Sequence, residues 1–277
     1  MLTKLDHAVL ICRNFDEGIE NYTALLGKPP TWTSRDGDTK IASALFEFQN
    51  TALEILAPLG DDMTARFDAL LRDQLGRLTS LAFAVDSIEQ ARHTLSRRSL
   101  NPTEITSGSS QDSASGSRRT WQRFRCADEA CAGIKTFIIS RSDKKISPQD
   151  PDPSGIHALD HIVINTPNPE RSIAHYGARL GLRFALDRTI EAFKTRFLFF
   201  RIGGVTLEII HRLDKDEPID ALDTIWGFTW AVKDLEAAHM RLTKAGLNIS
   251  NIRTGRKPGT QVFTVRSGTL DIPTLFL

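Results

Sequence analysis

Residues 5–55 of this 277-residue chain recur at residues 159–209 without a gap. Leu5-Asp6-His7-Ala8-Val9 returns as Leu159-Asp160-His161-Ile162-Val163, an offset of 154 residues. The same offset carries Asn14 onto Asn168, Ile19 onto Ile173, Tyr22 onto Tyr176, Leu26-Gly27 onto Leu180-Gly181, and Leu53-Glu54-Ile55 onto Leu207-Glu208-Ile209. A further pair, Ala84-Val85-Asp86-Ser87-Ile88-Glu89 and Ala231-Val232-Lys233-Asp234-Leu235-Glu236, matches at an offset of 147, so a short indel separates the paired segments. A chain that repeats itself in this way folds as copies of one unit.

Residues 144–156, with three prolines among Ser, Asp and Gly, read as a linker between a first domain at 1–143 and a second at 157–277. Each half reads as two βαβββ modules. In the first half, strands fall near 5–11, 41–48, 51–57, 78–85, 119–125 and 134–140, with helices at 16–26 and about 87–98. The helix at 16–26 carries Ile19, Tyr22, Leu25 and Leu26 on one face and ends at Gly27. In the second half, strands fall near 159–165, 193–201, 204–210, 226–232, 260–266 and 270–276. The expected fold is α+β: tandem modules forming half-open barrels, four modules in two domains, each half a curved sheet around a cavity. The Ser- and Gly-rich stretch 107–117 reads as a mobile loop and, preceding an Arg-rich strand, as a lid.

His7 and Glu54 fall on two strands of one module, and His161 and Glu208 on the same two strands of its copy, 47 residues apart in both. A carboxylate among apolar strand neighbours is costly unless it is paired, hydrogen-bonded or metal-bound. Imidazole with carboxylate suits zinc, iron, nickel or manganese. From spacing alone, a hydrogen-bonded His–Glu pair of structural purpose is the plainer reading. Asp6 and Asp160 adjoin the histidines and, by strict alternation, face the other way; His211 is placed opposite Glu208 on the same argument. His93, His175 and His239 fall on helices and read as exposed or half-buried, and His157 is assigned to the linker. Trp121, Trp226 and Trp230 read as core aromatics, with cavity lining the alternative. Arg118, Arg119, Arg123 and Arg125 cluster on or before one strand, and Arg253, Arg256 and Lys257 occupy the matching loop of the second half. They read as a solvated basic edge or, with Arg119, Trp121 and Arg123 as the binding residues, as a clamp for an anionic small molecule.

The Leu-Asp-His first strand and Leu-Glu-Ile fourth strand of a βαβββ repeat resemble the vicinal oxygen chelate superfamily, which includes glyoxalase I, extradiol dioxygenases and the fosfomycin and bleomycin resistance proteins. The glyoxalase-like branch resembles this chain most, through closing strands such as Gly133–Ile139. The resemblance implies paired modules around one divalent metal, ligated by His7 and Glu54 and again by His161 and Glu208. It implies a metal-assisted lyase, isomerase or dioxygenase for a small oxygenated molecule, with Glu54 or Glu208 a catalytic ligand that also shuttles a proton. The second and fourth modules depart from the pattern: Ser80 and Gly227 stand where a histidine is common, and the closing strands 135–140 and 273–277 hold no carboxylate. Pairing within each half then gives two ligands per cup, whereas a catalytic metal normally has three. Only the first module meeting the third, within the chain or across a homodimer, would gather all four. The alternative is a non-catalytic binding or sequestering protein with a degenerate metal site.

Net charge is +1, which supplies no general pull toward nucleic acid or an acidic membrane. No apolar stretch approaches a membrane span, and no signal peptide is read. Cys12, Cys126 and Cys131 are too few for a disulfide framework and read as buried or loop thiols of a cytoplasmic protein.

Overall fold

The computed structural model describes residues 1–141 and 152–277, so the expected linker lies largely outside the described residues. The first half runs β1 Leu2–Cys12, α1 Phe15–Leu26, β2 Trp32–Asp36, β3 Ile41–Glu47, β4 Ala52–Pro58, α2 Asp61–Leu71, β5 Gly76–Val85, α3 Ile88–Arg97, β6 Thr106–Gln111, β7 Arg118–Arg125 and β8 Lys135–Arg141. The second runs β9 Ile156–Asn165, α4 Pro169–Ser172 continuing into a π-helical stretch Ile173–Arg179, β10 Arg183–Ile190, β11 Thr195–Ile202, β12 Val205–Arg212, β13 Thr224–Val232, α5 Leu235–Lys244, β14 Arg253–Thr254, β15 Gln261–Val265 and β16 Thr274–Phe276.

Each half is one eight-stranded sheet, ordered β2-β3-β4-β1-β5-β8-β7-β6 and β10-β11-β12-β9-β13-β16-β15-β14. Modules therefore pair within a half, joined along the antiparallel β1/β5 and β9/β13 seams. Local chemistry sets the helices. Asn14 caps α1 by accepting from the Asp16 and Glu17 amides, and Gly27, at φ 74°, closes it. Tyr22, Leu25 and Leu26 then bury against the sheet. One apolar core runs from Leu5 through Phe46, Phe83 and Ile162 to Trp230 and Phe276, so the halves share their interior. Arg179 strengthens the junction by donating to the carbonyls of Arg98, Ser99 and Ala130.

The halves differ in closure. In the first, the edge strands meet: Trp32 Nε1 donates to Ser110 Oγ at 2.8 Å, the Thr33 amide to Asp112 Oδ1 at 2.9 Å, and the Ser113 amide to Thr33 O at 2.8 Å. Phe67 and Leu71 of α2 pack on Val9 and Ile11. In the second half β10 is exposed along almost its whole length, and β14 has two residues.

Several expectations need correction. Residues 106–111 are not a mobile loop but a strand paired with β7, from Thr106↔Arg123 to Gln111↔Arg118. The strand is polar, yet its backbone bonds are satisfied by the hairpin, and Asp112 pins the turn by accepting from the amide and hydroxyl of Ser115. Gly108 is required there because a Cβ would stand 2.5 Å from the Trp121 ring. His157 lies on β9 rather than in a linker. Trp226 is 50% exposed at a register shift of β13, whereas Trp230 is buried as expected. His93 is exposed and His239 half-buried, in line with expectation. All three cysteines are free and buried.

His175, expected at or near the surface, is 3% exposed. Burial, then the charges of Arg179 and Arg171, lower its pKa from 6.5 to about 4. The unfolded chain therefore takes up this proton at a higher pH than the native chain does. Stability from neutral His175 is complete above pH 6.5 and declines as pH falls toward 4. His175→Gln should lack that part of the slope, which urea titrations of both proteins across the window would measure. Parallel pH profiles would show that His175 does not carry it.

Candidate functional site

The duplicated Leu-Asp-His motif makes the same device twice. On β1, Leu5 pairs with Phe83 and His7 with Ala82; on β9, Leu159 pairs with Trp230 and His161 with Thr229. Each motif thus places its aspartate in a β-bulge, where alternation breaks. The expectation that Asp6 and Asp160 face away is corrected: His7 Nδ1 lies 2.7 Å from Asp6 Oδ1, and His161 Nδ1 2.7 Å from Asp160 Oδ1. The other ring nitrogens meet the glutamates: His7 Nε2–Glu54 Oε2 is 3.4 Å and His161 Nε2–Glu208 Oε2 is 3.2 Å. His211 turns instead to the Thr166 carbonyl, at 3.1 Å.

The two triads differ electrostatically. In the first, burial would lower His7, but hydrogen bonds to Asp6 and Glu54 push it up to about 9. Burial would raise Asp6 and Glu54, yet His7, with Arg141 and for Glu54 also Arg123, holds both below the usual carboxylate range. In the second, the hydrogen bond from His161 keeps Asp160 low, whereas burial keeps Glu208 high despite His161 and Arg256. Sequence reasoning missed Arg141, which grips Asp6 through Nη2 at 2.7 Å and Nε at 3.2 Å.

Arg119, Trp121 and Arg123 share one face of β7. Arg119 is buried, 3.3 Å from Glu47 Oε1 and 4.1 Å above the Trp32 ring, so its charge is compensated rather than presented as a bare clamp. Trp121 is half-buried against Gly108, and Arg123 lies 5.6 Å from the Phe137 ring. In the second half Arg256 lies 4.5 Å from the Phe193 ring. A cavity of about 200 Å³ opens at the mouth of the first sheet, with Asp6, Glu47, Arg119 and Arg141 in its wall.

Strand register identifies what faces each His–Glu pair in the companion module. Two residues beyond His7, Val9 pairs with Glu54; two beyond Ser80, Ala82 pairs with Phe137. Likewise Val163 pairs with Glu208, and Thr229, two beyond Gly227, with Leu275. The companion positions are therefore Ser80 with Phe137 and Gly227 with Leu275, a weak donor at best. His7 and Glu54 are brought together on one sheet and His161 and Glu208 on the other. Among the described residues no group of three or more His, Cys, Asp or Glu could hold a metal ion. The donor set does not fit a three-ligand centre.

The family model for a glyoxalase-like domain matches residues 5–158, and that for the glyoxalase/bleomycin resistance protein/dioxygenase superfamily matches residues 160–264. The chain belongs to this vicinal oxygen chelate superfamily. It is 36% identical over 64 residues to the uncharacterized protein YqjC of Bacillus subtilis (strain 168), a match covering 23% of this chain and 46% of that protein. The chain thus spans about half the length of that curated relative. Among solved structures it resembles a variant of 4-hydroxymandelate synthase from Streptomyces coelicolor, with TM-score 0.70, 13% identity, and coverage of 99% of this chain and 92% of that one. It also resembles the 2,3-dioxygenase LapB from Pseudomonas sp. KL28, with TM-score 0.59, 13% identity, and coverage of 99% and 91%. A hypothetical protein from Staphylococcus aureus aligns at TM-score 0.64 and 8% identity, over 100% and 99%. At these identities the likeness is one of fold.

Proposed function

We propose that the chain is a small-molecule-binding protein whose first half holds its ligand without a resident metal. The observation that carries this reading is the register: each His–Glu pair faces Ser80 and Phe137, or Gly227 and Leu275, instead of further donors. Both nitrogens of each histidine already lie against carboxylates, so the triads read as fixed polar elements of the cup wall. Arg119 lines the cavity, and Trp121 and Arg123 follow it on the same face of β7, with Arg123 against Phe137, which supports these three as the binding residues. A cytoplasmic setting is part of the proposal and rests on the three free thiols.

One observation favours a second reading, metal-assisted lyase, isomerase or dioxygenase chemistry. An aspartate on Nδ1 with Nε2 turned toward a carboxylate is the orientation that metal-bound histidines adopt, and the 3.4 and 3.2 Å separations suit two ligands of one ion. Metal content separates the readings. Untagged protein exposed to zinc, manganese, nickel or iron(II) and then desalted should retain far less than one ion per chain. An equimolar ion that survives desalting and disappears in His7→Ala would establish the second reading in place of the first.

A further inference from the structure

The geometry points to a small aliphatic zwitterion, a molecule of amino-acid size with one carboxylate and one ammonium, as the ligand of the cavity at the mouth of the first sheet. The inference rests on the metal-independent reading above and names its ligand class. Size sets the first limit: about 200 Å³ is small beside the 300–1,000 Å³ of ordinary ligand pockets. Charge sets the second. Among the described residues the wall holds Lys4, Arg119 and Arg141 against Asp6, Glu47 and Asp86. Against these six side chains a simple anion meets as many carboxylates as cations, and a simple cation the reverse. A zwitterion finds a partner for each end.

The opposite charges are held interleaved rather than segregated, because both ion pairs join strands that are not neighbours. Asp6 on β1 reaches Arg141 on β8 past β5, and Glu47 on β3 reaches Arg119 on β7 across the β2/β6 closure. Glu47 uses only Oε1 for Arg119; its Oε2 is buried with no hydrogen-bond partner, a costly state that an ammonium relieves once the carboxylate turns toward the cavity. Leu45, Val85 and Ile139 give the wall an apolar part that suits a short aliphatic side chain, beside the hydroxyls of Thr3 and Thr51.

The test titrates the full chain, in EDTA, with three matched probes: L-valine, L-2-hydroxyisovalerate, which lacks the ammonium, and L-valinol, which lacks the carboxylate. Calorimetry or ligand-observed NMR should show saturable binding of valine and binding about tenfold weaker, or worse, for the other two, the loss of one charge-assisted hydrogen bond. Glu47→Gln should weaken valine about tenfold and narrow its lead over the hydroxy acid, whereas Glu47→Asp should keep the preference. Thermal melts of both variants confirm that they are folded. The inference is overturned if none of the probes binds, or if hydroxyisovalerate binds as tightly as valine. The latter result leaves metal-independent binding standing. Binding of any probe only after zinc or manganese replaces EDTA would overturn that underlying reading as well.

Discussion

Asp223→Ala should lower the unfolding free energy by about 3–5 kcal/mol, the range for breaking one side of a buried ion pair. The Asp223 side chain is 2% exposed. Its Oδ1 accepts from Arg171 Nη2 at 2.7 Å and from Thr166 Oγ1 at 2.7 Å. Burial raises its pKa in spite of these partners, so the carboxylate is held at a desolvation cost that the hydrogen bonds only partly offset. Removing it leaves the Arg171 cation without its Asp223 counter-ion, held by the carbonyls of Ala221 at 2.7 Å and Ile219 at 3.4 Å, with its Nε already buried without a partner. The Asp223 amide also donates to Ala132 O at 2.7 Å, so the cluster lies where the halves meet. If the stranded cation is the main penalty, adding Arg171→Met should restore about 1–2 kcal/mol, a coupling that a double-mutant cycle in urea would read. Strictly additive losses would place the cost in the lost Thr166 bond instead.

The repeat made the architecture readable, because identical Leu-Asp-His and Leu-Glu-Ile strands at one offset leave little choice but two copies of one sheet. It also gave the partners of His7 and His161, since equal 47-residue separations required equal strands. What escaped reading was set by tertiary contact. Strand β6 is polar on both faces and has no period-two signal; it is a strand because β7 pairs with it and β2 caps it. Strand β10 differs: Phe184 and Leu186 alternate within it, yet both are exposed, so no buried face marks it as a strand. Helix α2 does carry a local signal, Met63, Phe67 and Leu71 at every fourth residue, which lies outside the repeated segments. The bulges at Asp6 and Asp160 defeat simple alternation, which is a rule for regular strands. Arg141 and Glu47 carry no local signal, because each meets its partner across the closed sheet.

The two Asp–His–Glu triads are equal in sequence and unequal in setting, and substitution should expose the difference. Asp6→Asn should cost about 3 kcal/mol, near the lower end for an interrupted buried ion pair. Asp6 is 9% exposed, holds His7 at 2.7 Å and receives Arg141 through two nitrogens, so the amide leaves a half-buried guanidinium and a buried imidazole without their shared anion. Asp160→Asn should cost about 1 kcal/mol or less, because partly exposed pairs are screened by water. Its side chain is 34% exposed and, among the described residues, has one hydrogen bond, to His161. The halves share one core, so each variant should unfold in a single transition and the two costs can be compared directly in urea. Equal costs would mean that the Arg141 contacts add nothing to the first triad. A larger cost at Asp6 would identify the first half as the one in which the motif is locked to the cavity wall, through Arg141, which lines the cavity itself.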